Sequence, residues 1–259
     1  MTRIAPFGRS LYAIALIGLG STHFVFGRFT TGRAPAWPSS LSGGSVWAYL
    51  TGTALIAVGL AILARRRGRS AAILAAALVF VWALLRHIPV LTTSAFLSGA
   101  WTDAGKALTF VGGSLALAAT LPWEGGGGRL VTRLMNRDSE LVTVGRFCLG
   151  ATLILNGAQH FVFTAGVASL IPAWFPGNAV FWTYFGGTAL IAGGVGLLIP
   201  RTARWAALLS GLMIFSWFFI VHLSREVAGV ADGIAVFEAL AMAGMLFVIA
   251  GVRSPQYLA

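Results

Sequence analysis

One stretch of this chain occurs twice, and that duplication constrains the fold more than any other feature. His23-Phe24-Val25-Phe26 is followed by Pro35-Ala36-Trp37, then by Trp47, Tyr49 and the run from Gly52 to Ala57. His160 to Phe163, Pro172-Ala173-Trp174, Trp182, Tyr184 and the run from Gly187 to Ala192 repeat the pattern. The numbering advances by 137 from His23 to His160 and by 135 from Trp47 to Trp182, so a two-residue length change in one loop separates two copies of one unit. Residues 46–64 and 181–199 are identical at ten of nineteen positions. A repeat of this kind is itself the structural unit.

The unit is apolar. Hydrophobic residues make up 58% of the 259-residue chain and charged residues 10%, against about 45–50% and about 25% in soluble domains. Crossing a bilayer takes about 20 apolar residues. Windows of that kind lie at 11–27, 46–64, 71–88, 105–121, 142–163, 181–199, 205–223 and 234–251. The expectation is an all-α membrane protein of eight transmembrane helices in two four-helix repeats. The first repeat covers 1–121 and the second 142–259. Between them, 122–141 reads as a cytoplasmic linker whose four glycines, Gly125 to Gly128, make a flexible tether. An even number of spans per unit predicts parallel repeats about an axis along the membrane normal. The first span lacks a small-residue cleavage site and reads as a retained helix.

The net charge of +11 has a topological origin. Thirteen of the seventeen arginines fall on one side of the eight-span arrangement, while Arg28, Arg33, Arg86 and Arg225 fall on the other. Basic loops stay cytoplasmic, which puts both termini inside and makes membrane lipid, not nucleic acid, the partner of the positive charge. The single cysteine, Cys148, excludes an intrachain disulfide and a two-thiol relay.

Ionisable residues in spans are costly and mark interiors or watery cavities. All four histidines sit at corresponding places, His23 with His160 and His87 with His222, each near the outer end of its span. Lys106 and Glu238 join them on that side. In the second repeat Asn156, Gln159 and His160 stand at i, i+3 and i+4 on one helix face. Such a face suits the carbonyl or hydroxyl of a quinone-like ring. Its counterpart in the first repeat, Leu19, Thr22 and His23, is less polar. Interhelical hydrogen bonding is the competing structural role for these groups. Trp37 and Trp174 anchor the outer loops in an aromatic girdle and are candidate ligand contacts. Histidine pairs at similar depth could also hold haem, but no local ligand motif supports it, and no metal site is assigned.

Taken together, these motifs resemble the DoxX-like membrane proteins. The first helix ends near His-Phe and is followed by Pro-x-Trp. Then come Trp-x-Tyr-x-x-Gly-Thr-Ala-Leu-Ile-Ala, a third helix ending in Trp-x-x-x-x-His, and a fourth rich in Ala and Gly. The resemblance spans most of both repeats, and the fusion departs from the single unit and implies a compact pseudo-dimer. It implies a membrane component of redox systems, some relatives being subunits of quinone-linked oxidoreductases. The reading that follows is an inner (plasma) membrane protein binding a quinone or similar lipophile near the extracytoplasmic face, with a redox partner protein. His160 and Gln159 would bond a ring oxygen, His222 would relay a proton and Glu238 would adjust the local charge. His23, His87, Lys106 and Asn156 complete the candidate set. Small-solute transport and a non-catalytic assembly role are the alternatives.

Overall fold

The computed structural model describes residues 3–29, 37–38, 40–123, 137–230 and 233–252. These residues form α1 (Ile4–Phe26), α2 (Gly44–Ala64), α3 (Gly68–Trp82), a π-helical stretch π1 (Ala83–His87), α4 (Ile88–Leu91) and α5 (Gly99–Ala119). They continue as α6 (Asp138–Val162), α7 (Thr164–Ala168), α8 (Ala179–Leu198), α9 (Ala203–Trp217), π2 (Phe218–Leu223), α10 (Ser224–Val227) and α11 (Ile234–Ala250). No strand occurs among the described residues. The glycine tether and Pro35-Ala36 lie outside the described residues.

Six helices are long and apolar enough to cross a membrane, and they make this a multi-pass membrane protein: α1, α2, the continuous run Gly68–Leu91, α6, α8 and the run Ala203–Val227. The two remaining expected spans differ from these. Gly99–Ala119 has 21 residues but carries Asp103 and Lys106, and Ile234–Ala250 is apolar but only 17 residues long. Both are inner helices. Nearly every residue of α11 from Ala239 to Ala250 is buried, so neighbouring helices cover it on nearly every side, while the six longer helices keep exposed faces.

The helices pack in chain order, α1 on α2, α2 on α3, α3 on α5, α5 on α6, α6 on α8, α8 on α9 and α9 on α11. α11 then returns to α1 and closes a ring, and α5 touches α11 across it. Glycines permit the closest approaches, because in an apolar solvent helices associate through backbone proximity more than through burial. A Cβ on Gly157 would lie 2.7 Å from the Gly187 carbonyl oxygen, and one on Gly20 would lie 2.6 Å from that of Gly52. The seams between halves match as well. A Cβ on Gly145 would stand 2.7 Å from the Gly112 oxygen, and one on Gly244 would stand 2.7 Å from the Gly8 oxygen. Each pair recurs at the positions that the sequence repeat equates.

Two helices run longer than their sequence predicts. The apolar windows end at 88 and 223, yet helix continues to Leu91 and to Val227. In both cases a π stretch precedes the extension. At Pro89 the wider turn accommodates a residue with no N–H to donate. The corresponding position after π2 is Ser224, so proline is not the common cause. What the two stretches share is a histidine at or next to their ends, His87 and His222.

Buried arginines stitch the opposite end. Arg69, 2% exposed, donates to Asp138 Oδ1 at 2.6 Å and to the Leu121 carbonyl at 3.1 Å, joining α3 to the start of α6. Arg146 donates through Nε to the Leu197 carbonyl at 3.0 Å and through Nη2 to the Leu198 carbonyl at 3.3 Å. It thereby satisfies orphan acceptors at the end of α8.

Candidate functional site

A cavity of about 560 Å³ opens mainly among elements of the second half, α6, α7, α8, the α9–π2 run and α11, with α5 of the first half completing its wall. Small-molecule sites span about 300–1,000 Å³ and are mostly apolar with a few placed polar groups. Phenylalanine, leucine, isoleucine and methionine supply much of the apolar wall, Phe110, Met242 and Met245 among them. Its polar lining includes Lys106, Asn156, Gln159, His160, His222 and Glu238, so six of the ten sequence candidates converge on one space.

His160 is held from below by its own helix. Its Nδ1 lies 2.7 Å from the Asn156 carbonyl oxygen, one turn earlier. A carbonyl only accepts, so Nδ1 carries the hydrogen and a neutral ring keeps its lone pair at Nε2. The imidazole stacks on Trp217, with centroids 6.1 Å apart and planes at 25°. His222 reaches the same space from π2, where Ile220, Val221 and His222 all line the wall in succession.

Lys106 and Glu238 pair with each other. Lys106 Nζ donates to Glu238 Oε2 at 2.5 Å, from α5 to α11, with side chains 14% and 18% exposed. The pair neutralises what would otherwise be two costly charges in an apolar wall. Asn156 keeps its Oδ1 buried with no hydrogen-bond partner among the described residues.

Gln159 has a different task from the one expected of it. Its Nε2 donates to the carbonyls of Leu97 and Ser98 at 2.9 and 3.1 Å, and its Oε1 accepts from Thr102 Oγ1 at 2.9 Å. Leu97 adopts a left-handed φ of 63°, rare for a residue with a Cβ. Gln159 therefore fastens the turn before α5 to α6, and its polar atoms are spent on that turn.

The other four candidates stand outside this cavity. Trp174 is 63% exposed and meets Phe175 edge to face, while Phe175 does the lining. Trp37, His23 and His87 belong to the first half. There Phe29 is buried against its neighbours, stacked on Trp37 at 5.6 Å and edge-on to His23 at 5.7 Å and to Trp82 at 5.0 Å. The Arg86 guanidinium lies 4.5 Å from the centre of the Phe29 ring, a cation–π contact. His23 repeats the His160 arrangement, with Nδ1 2.8 Å from the Leu19 carbonyl oxygen. His87 is half-buried at the end of π1.

Sequence reasoning missed Trp217 and Gly166 as lining residues. The signal for Trp217 was present in the recurring Trp-x-x-x-x-His motif. Gly166 could be found only by asking what replaces Phe29. Among the described residues no group of three or more His, Cys, Asp or Glu is placed to hold a metal ion. Cys148 is a free thiol, half-buried beside α5.

A family model described as Domain of unknown function (DUF8561) matches residues 149–248, the stretch that carries most of the cavity wall. No curated protein and no solved structure matches the chain.

Proposed function

We propose that this chain is a DoxX-like protein of the inner (plasma) membrane that binds a quinone or similar lipophilic small molecule near its extracytoplasmic face. It supports electron transfer with a partner protein. In this reading α5 and α11 are the fourth spans of two parallel four-helix repeats, and both termini are cytoplasmic. Ile234–Ala250 rises about 25 Å at 1.5 Å per residue, and its neighbours shield it, so a full-length apolar stretch is not required of it. The arginine asymmetry supports the orientation.

The observation that carries the reading is the convergence of His160, His222 and the Lys106–Glu238 pair on one apolar cavity. Reduction of a quinone to its quinol takes two electrons and two protons. The electrons come from the partner protein. His160 Nε2 is suited to both redox forms: neutral, it accepts from a quinol hydroxyl; protonated, it donates to a quinone oxygen. His222 exchanges protons with it and with the cavity mouth, and the Lys106–Glu238 pair keeps the wall neutral as those protons move.

The test is equilibrium binding of a short-tailed quinone to protein in mild detergent, together with a dithionite-reduced minus air-oxidised spectrum of protein purified with its native lipid. Binding that vanishes in a His160→Ala, His222→Ala variant is expected, with an ultraviolet quinone change in the spectrum. Unchanged binding in that variant overturns the site, and sharp visible bands would move the histidines to haem ligation.

A further inference from the structure

The first half of the molecule carries Phe29 and Arg86 beside residues whose counterparts, Trp217 and His160, line the cavity of the second half. Phe29 corresponds to Gly166 at the 137-residue offset, and Arg86 to Val221 at 135. Trp82 corresponds to Trp217 and His23 to His160. Gly166, Val221, Trp217 and His160 all line the cavity. In the first half the Phe29 ring lies edge-on to Trp82 and His23 beneath Arg86. At the positions of Phe29 and Arg86 the second half has no side chain and a shorter apolar one. A Cβ built on Gly166 meets nothing within 4 Å.

We infer that the second-half cavity takes a planar unsaturated ring, seated against Trp217 and His160 as Phe29 is seated against Trp82 and His23. This rests on the reading of the cavity as a lipophile site and narrows its ligand class from lipophile to ring. The physical basis is the aromatic quadrupole. Indole and imidazole rings present edges and faces that favour another π system in tilted or offset contact over a saturated group of equal volume. Phe29 is the chain's own occupant of the equivalent seat. The backbones differ locally: the chain leaves α1 through a left-handed Gly27 (φ 62°), whereas it leaves α6 into the short helix Thr164–Ala168. The seat is defined by the wall residues, which correspond, and not by the loop, which does not. Gly166 is then a specificity-determining position, since any large side chain there competes with the ring.

The experiment uses the full chain in detergent and titrates it with an untailed naphthoquinone, with decalin as the saturated ring of similar size, and with a long-chain alcohol as a stand-in for a lipid tail. Wild-type protein is expected to bind one naphthoquinone and to prefer it over decalin and the alcohol by about tenfold or more. Rebuilding the first-half plug with Gly166→Phe and Val221→Arg should weaken that binding by at least about tenfold. The reverse change, Phe29→Gly with Arg86→Val, should raise the stoichiometry from one to two, and it decides the matter if the plugged variant fails to fold. Equal affinity for decalin or the alcohol overturns the ring seat while leaving a lipophile site in place. So does naphthoquinone binding that survives the plug and stays at one equivalent in the opened variant, yet disappears in His160→Ala, His222→Ala. Failure of every probe to bind overturns the seat and the proposed function together.

Discussion

The two halves of this molecule differ most at the one end where their sequences promised the most similarity. The seams and close helix contacts agree pair by pair, Gly20 against Gly52 with Gly157 against Gly187, and Gly8 against Gly244 with Gly145 against Gly112. The histidine end does not. In the first half Phe29 and Arg86 fill the ground between His23, Trp37 and Trp82. In the second half Gly166 and Val221 border open space, and Trp174 has turned outward to 63% exposure. Packing against a neighbouring helix tolerates no change, because a single added carbon collides with a backbone. A cavity wall tolerates a good deal, so divergence accumulated there.

The ion pair extends the same lesson. Lys106 and Glu238 stand at corresponding positions of α5 and α11, and they meet. Two identical units would bring like charges together at that point. Two units that have diverged can place a cation on one side and an anion on the other, and the resulting pair lies on the wall of the cavity.

The comparison can be broken most directly at Phe29. Phe29→Ala should destabilise the protein by about 3 kcal/mol, the low end for a buried phenylalanine, because Phe29 is 8% exposed and packs on His23, Trp37, Trp82 and Arg86. Gly166→Ala should shift the melting temperature in detergent by almost nothing. Equal shifts for the two variants would mean that Phe29 is not a plug.

Glu238→Ala strands Lys106 in an apolar wall and should cost about 2–3 kcal/mol, less than a fully buried pair because both side chains keep some exposure. The charge-swapped double variant, Lys106→Glu with Glu238→Lys, should recover most of it. A swap as unstable as the single variant would show that the pair acts through its surroundings and not through mutual attraction.

Gln159→Ala should cost about 1–3 kcal/mol by removing the donor to the Leu97 carbonyl and the acceptor of the Thr102 hydroxyl, while the Ser98 carbonyl keeps the Trp101 N–H. Hydrogen exchange should rise first at the start of α5. At the corresponding Thr22, whose hydroxyl bonds the Leu19 carbonyl of its own helix, alanine should cost less than about 1 kcal/mol. The smallest contrast concerns the loop tryptophans. Trp37→Ala should lower stability measurably, and Trp174→Ala should leave it within about 0.5 kcal/mol of wild type.

Much of the candidate site was legible because its residues are of kinds that an apolar chain does not carry idly. Four histidines at corresponding places, one lysine and one glutamate in inner helices could be read directly, and His160, His222, Lys106 and Glu238 do share one cavity. The role of Gln159 was not legible. Its partners, Leu97, Ser98 and Thr102, are about 60 residues away in sequence, and nothing local announces that a turn there needs fastening. Nor was the continuation of helix past Pro89 and His222, since a π turn is a response to neighbours and leaves no periodic trace in the residues that form it.

The sequence by itself determined the helical, membrane-embedded class, the repeat, and the placing of charge and histidine at particular helix ends. Those properties follow from hydropathy and spacing, which are local and additive along the chain. Only the tertiary structure decided that the ring closes from α11 back to α1, that Lys106 meets Glu238, and that one half is filled where the other is open. Whether a side chain such as Phe29 folds inward, or a ring such as Trp174 turns outward, depends on the volume its neighbours leave. That volume is a property of the packed assembly and not of any one segment.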